Sequence, residues 1–138
     1  MKLELITLTG EKLSEDVYEV TLPTRSGDIS VFPGHETLVT LATVGVLYVR
    51  RKRGDIDDAR EVFAINGGVV QISPTLIRIL VDEAEGADEL ATHEIEAALE
   101  RAKKLRESAK DAVSISEAEA LMNRAAVRLK VANLRRRR

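Results

Sequence analysis

Cysteine and tryptophan are absent from the chain, and histidine occurs only twice, at His35 and His93. Disulfides, thiolate nucleophiles and cysteine-bound metals are therefore excluded, which fits a reducing compartment, and two histidines leave little for an imidazole metal site. Long apolar runs are missing too: none approaches the roughly 20 residues a helix needs to cross a bilayer. The amino end, Met1-Lys2-Leu3-Glu4-Leu5, alternates polar and apolar residues without the layout of a secretory signal. The chain is therefore expected to stay in the compartment where it is made.

Glycine, proline and aromatic residues are scarce in one part only. All eight glycines, all three prolines and all four Phe and Tyr residues lie at or before Gly86. This shift in composition divides the chain into two regimes, residues 1–86 and 87–138. Charge divides it similarly. Up to Asp88 there are 9 basic and 15 acidic residues, and from Glu89 onward 12 basic and 8 acidic. The last nineteen residues hold seven Arg or Lys and no acid, the pattern of an interaction tail.

What is present describes a soluble globular chain, 44% apolar and 32% charged, and its 138 residues suffice for one domain with an appendage. In the first regime, apolar residues alternate over short runs: Leu3 and Leu5; Tyr18, Val20 and Leu22; Ile29 and Val31; Leu47 to Val49; Phe63 and Ile65; Val69 to Ile72; Leu76 to Val81. Period two with many β-branched residues predicts strands. Turn residues separate them: Gly10, Pro23, Pro33-Gly34, Gly45, the charged stretch around Gly54, Asn66-Gly67-Gly68 and Ser73-Pro74. About eight to ten short strands in this length predict an antiparallel β-sandwich or flattened barrel.

The second regime predicts an antiparallel two-helix hairpin, making the fold class α+β. Thr92 is the expected cap of the first helix, and Ile95, Ala98, Ala102, Leu105 and Ala109 recur at helical spacing. Ser114-x-x-Glu117 and Ser116-x-x-Glu119 are capping-box candidates for the second, whose stripe is Ala118, Met122, Ala125, Leu129 and Ala132. Alanine-rich stripes let backbones approach but bury little area. The hairpin is therefore expected to be weakly held.

The segment from Gly27 to His35, Gly-Asp-Ile-Ser-Val-Phe-Pro-Gly-His, is followed thirty-two residues later by Gly67-Gly68. With the length, the order of the two regimes and Arg124-Ala125-x-x-Arg128-Leu129, it resembles the epsilon subunit of bacterial-type (F-type) ATP synthases across essentially the whole chain. The resemblance implies a non-catalytic central-stalk rotor subunit, peripheral at the cytoplasmic face of the bacterial plasma membrane. The sandwich would bind the gamma subunit and the membrane c-ring, coupling proton-driven rotation to ATP synthesis. The hairpin would transiently reach the alpha and beta catalytic subunits and inhibit ATP hydrolysis. Carried over, Asp28 is the ring-facing acid and Phe32, Pro33, Gly34 and His35 the ring-facing loop. Arg124 and Arg128, with Arg135 in the basic end, are the inhibitory contacts. Ser30, Thr37 and Asn66 depart from the family pattern in strands and loops. Members that bind ATP carry an acid and an arginine where this chain has Ala91 and Glu94, so weak or absent ATP binding is expected. No cofactor is implied.

Competing readings of single residues are weaker. His35 as a base lacks a recognisable nucleophile motif near Asp28 and Glu36; fixing or presenting the Pro-Gly turn suits it better. His93 has no second histidine at metal-ligand spacing, and Asp55-Ile56-Asp57-Asp58 lacks the calcium-loop pattern and follows a basic run. Gly67-Gly68 is not followed by the Lys of a phosphate loop, so a tight turn or a close backbone approach is expected there. The rival class for the basic end is a free-standing nucleic-acid binder. An acidic sandwich without a basic aromatic face argues against it.

Overall fold

Period-two runs become strands, and the glycine-free remainder becomes helix. A computed structural model describes residues 1–136, with the side chains described through Leu134. The strands are β1 (Lys2–Thr7), β2 (Gly10–Asp16), β3 (Glu19–Thr24), β4 (Gly27–Val31), β5 (Leu38–Arg50), β6 (Glu61–Ile72), β7 (Leu76–Val81) and β8 (Ala84–Gly86). Two helices follow, α1 (Thr92–Ser108) and α2 (Ala112–Arg136).

The strands are hydrogen-bonded in the order β2-β1-β7-β6-β5-β3-β4, with β8 added on β6. All neighbours are antiparallel except β1 and β7, which run parallel. This pair joins distant parts of the chain, so no hairpin turn dictates its direction. Val20, Leu22 and Val31 from one end of the order share a single core with Leu3, Leu5, Ile77 and Ile79 from the other. The sheet is thus folded over on itself as a sandwich whose two layers share β5 and β6. β3 pairs with Tyr48–Arg50 of β5, whereas β7 pairs with Gly68–Ile72 of β6.

Gly45 and Gly67-Gly68 lie inside strands, not between them, so the described residues form eight strands, the lower end of the expected range. The ladder runs on through Ala42 with Gly68 and Val44 with Asn66. A positive φ of 79° at Gly67 lets β6 bend there without breaking its register.

On the far side of this bend, Val62, Phe63, Ala64 and Ile65 are all buried. Phe63 and Ile65 face the sandwich core, and Val62 and Ala64 join Val46 beneath α2. Four consecutive apolar residues fit a strand covered on both faces. The covering helix contributes Val131, which is fully buried, with Val127 and Leu134 beside it. Its other face carries the expected stripe, with Ala118, Ala125 and Ala132 buried and Met122 and Leu129 half-buried. α1 packs on α2 through Ile95 and Ala102.

Three local expectations need correction. Thr92 is the first helical residue of α1, and the capping position is Ala91, whose side chain has no oxygen to accept a hydrogen bond. α2 starts one turn before either serine-based box. Asp111 accepts from the Ser114 backbone N–H at 2.8 Å and the Ser114 hydroxyl at 3.1 Å. A carboxylate suits the positive end of a helix. Leu105 is 53% exposed instead of buried, because it lies near the free end of the hairpin.

Candidate functional site

β4 delivers the chain into a loop at one end of the sandwich. Pro33-Gly34 turns it, closed by the His35 N–H donating to the Phe32 carbonyl at 3.2 Å. The Gly34 N–H donates to the Pro74 carbonyl at 2.8 Å, tying this loop to the turn between β6 and β7. That second turn is itself fixed by the Ser73 N–H and hydroxyl, both donating to the Leu76 carbonyl. Two short turns thus form one braced end. Phe32 stands partly exposed on it, its ring edge-to-face with Tyr18 at a centroid distance of 5.6 Å. Pro33, Gly34, Glu36 and Leu38 are exposed around it.

His35 is half-buried, and its Nδ1 lies 2.7 Å from the Glu36 carbonyl oxygen. A carbonyl only accepts, so Nδ1 carries the proton. Asp28 is exposed at the opposite end of β4, paired with Pro23 next to the β3–β4 turn. Four residue steps, about 13 Å, separate it from Phe32. The structure therefore brings Phe32, Pro33, Gly34 and His35 together in the loop after β4 and leaves Asp28 apart from them, at the other end of that strand.

Arg124 and Arg128 sit elsewhere, on the face of α2 turned to the sandwich. Arg124 is paired with Glu83, in the connection from β7 to β8. The Arg128 Nη2 donates to Glu85 Oε2 at 3.0 Å. The buried Arg128 Nε lies 2.9 Å from Glu85 Oε1 without hydrogen-bond alignment, so that contact is ionic only. The crevice bounded by Glu83, Glu85, Arg124, Val127 and Arg128 measures ≈ 10 Å³. One water needs about 10–15 Å³, so a phosphate has no room between the arginines and their carboxylates. Arg135 lies in the last turn of α2, and its side chain is outside the described residues.

A groove of ≈ 500 Å³ runs between β2, β6 and the turn at Ala87–Glu89. Its charged lining is largely satisfied internally: Lys12 pairs with Glu89, and Glu61 pairs with Arg51 at 2.5 Å. The hydrogen bond from Lys12 holds the Glu89 carboxyl below the usual carboxylate range, against the opposing effect of its partial burial, and the Gly86 N–H adds to the depression. Among the described residues no cluster of three His, Asp or Glu side chains assembles that could hold a metal.

Sequence reasoning missed the network around Arg50. Its Nε donates to Glu19 at 2.7 Å and its Nη2 to Asp57 at 2.5 Å, and it also reaches the Asp55 carbonyl. The hydrogen bond from Arg50 lowers the Asp57 carboxyl, with the charges of Arg60 and Arg50 adding to it. Arg60 lies over the Tyr48 ring, 4.4 Å from its centroid. The Arg50–Arg60 stretch is thus a braced hairpin tip. Its only signal in the sequence was the density of opposite charges.

The chain is thus a sandwich with one braced end and a helical hairpin packed on one face. Residues 1–87 match the family model described as ATP synthase, Delta/Epsilon chain, beta-sandwich domain. The chain belongs to the epsilon-chain family of ATP synthases, non-catalytic subunits of the central stalk. It is 36% identical over 124 residues to the ATP synthase epsilon chain of Aliarcobacter butzleri, covering 89% of this chain and 95% of that one. The epsilon chain of Herpetosiphon aurantiacus is 33% identical over 138 residues, covering 100% and 98%. Among solved structures, a chain of the Euglena gracilis mitochondrial ATP synthase (OSCP/F1/c-ring) superposes with a TM-score of 0.81 at 25% identity, covering 95% of this chain and 79% of that one.

Proposed function

We propose that residues 1–86 form a rotor foot and residues 87–138 a regulatory hairpin. The foot contacts the gamma subunit and sets its Phe32-Pro33-Gly34-His35 end, with Asp28, against the polar loops of the membrane c-ring. It thereby couples proton-driven rotation to ATP synthesis. Among the described residues no helix is long and apolar enough to cross a bilayer. Its place at the cytoplasmic face of a bacterial plasma membrane follows from the complex it joins.

The hairpin acts as a brake on ATP hydrolysis. The observation that carries this reading is the docking of α2 through one small apolar cluster and two ion pairs. A helix held so lightly is suited to leave, and its arginines then face the alpha and beta catalytic subunits. ATP is not its ligand here: Ala91 and Glu94 replace the family's acid and arginine, and Arg124 and Arg128 are already occupied. The test is an ATPase assay of the assembled complex with and without residues 87–138. Truncation is expected to raise hydrolysis while coupling is retained. Unchanged hydrolysis would remove the brake, and micromolar ATP binding by the isolated chain would overturn the account of Ala91 and Glu94.

A further inference from the structure

Arg124 and Arg128 are four residues apart on α2, a rise of about 6 Å along one helix face. Glu83 and Glu85 are two residues apart beside and within β8, about 6.7 Å along one side of an extended chain. The two spacings match, and the pairs form in parallel order, Arg124 with Glu83 and Arg128 with Glu85. Ala84, between the two acids, is buried in the sandwich core, so the acidic pair is anchored by the residue that separates it.

The surroundings show what the acids neutralise. Arg124 and Arg128 line a groove of ≈ 310 Å³ between the helices, together with Arg101, Leu105 and Leu121. Leu105 and Leu121 are both about half exposed there. Without the two glutamates, three arginines would crowd an apolar surface. With them, two of the three charges are spent inside the chain.

We propose that Glu83 and Glu85 are an internal ionic clasp for Arg124 and Arg128. The clasp sets how often α2 leaves the sandwich, and an acidic partner gains these arginines only when it is open. The inference deepens the reading of the hairpin as a detachable brake and rests on it. Apolar docking by Val127, Val131 and Leu134 supplies a salt-insensitive part of the hold. The two partly exposed ion pairs supply a part that falls as ionic strength screens them.

The chain has no cysteine, so Val131→Cys, at a fully buried position on the sheet-facing side of α2, introduces a single reporter thiol. Its labelling rate by a thiol reagent, in the full chain, reads the fraction of time the helix is lifted. Adding E83Q and E85Q is expected to speed labelling about two- to thirty-fold, the range for losing two partly exposed pairs. Raising salt should speed labelling in the parent and much less in the double glutamine variant. Exchanging the charges, with R124E, R128E, E83R and E85R together, should return the rate toward that of the parent. Amide exchange of Ile77 and Ile79 in β7 reports on the sandwich and should not change. Equal labelling with and without the glutamates overturns the clasp. So does an equal acceleration in β7, since the acids would then stabilise the whole fold. No ATPase activity enters this experiment, so its failure leaves the stalk assignment standing, and unchanged hydrolysis on truncation leaves the clasp standing.

Discussion

A Cβ built on Gly68 would stand 2.2 Å from the carbonyl oxygen of Leu80 in the neighbouring strand. The opposing atom is backbone, so β7 itself would have to move, and the φ of 157° adds strain for any side chain. Gly68→Ala is expected to destabilise the sandwich by about 3 kcal/mol or more. Urea unfolding followed by circular dichroism would measure it. A loss below 1 kcal/mol would mean that the two strands separate easily at this point.

Val131 is the centre of the contact between α2 and the sheet. Truncating it to alanine removes two methyl groups from a buried site, a loss of about 2 kcal/mol. This loss should fall on the docking of the hairpin and spare the sandwich. Limited trypsin digestion would show it as faster cleavage after Arg128 and Lys130, with the β-domain fragment surviving. Simultaneous loss of both parts would contradict the division.

His35 makes one side-chain hydrogen bond, to a carbonyl on the adjacent residue. His35→Ala should therefore cost less than about 1 kcal/mol in thermal unfolding. In the assembled complex, the same substitution should reduce proton-driven ATP synthesis if the loop faces the ring. Equal losses in both assays would confine His35 to holding the turn.

The carboxyls of Asp57 and Asp111 are lowered in the folded chain, Asp57 by the hydrogen bond from Arg50 and Asp111 by the backbone N–H of Ser114. For groups shifted in this direction, the stabilisation is complete above the ordinary carboxylate value, near pH 4, and is lost as pH falls through the lowered value. Stability should thus decline on acidification below about pH 4. Asp57→Asn and Asp111→Asn should each flatten part of that decline. Melting temperature against pH, from 2 to 7, would record it, and parallel curves for parent and variants would reject the assignment.

Much of this architecture was legible because simple periods carried it. Alternation located the strands, and the loss of glycine after Gly86 located the helices. Legibility failed where one segment serves two surfaces. Val127, Val131 and Leu134 are diluted by the arginines beside them, so the face of α2 that meets the sheet was hidden by the clearer alanine stripe. Gly67-Gly68 could be read as a tight turn or as a close backbone approach, and the structure shows the second, because local chemistry does not distinguish a bend within a strand from its end. Of the candidate site residues, Phe32 to His35 are adjacent in sequence and hence in space. By contrast, the pairing of Gly34 with Pro74 and of the arginines with Glu83 and Glu85 joins segments whose meeting only the tertiary fold decides.

β5 and β6 form one ladder through both layers, from the Leu38–Ile72 pair beside the Pro33-Gly34 loop to the Val49–Glu61 pair at the braced tip. Thirteen residues of β5 extend about 40 Å. Ladder hydrogen bonds lie across the strand direction, so a force along the strand loads them together, whereas a force that peels loads them one by one. A push at one end of this hairpin therefore reaches the other as shear on a shared set of bonds. In mechanical terms the hairpin is the spar of the molecule, and the Arg50 network is the fitting that keeps its far end from splaying.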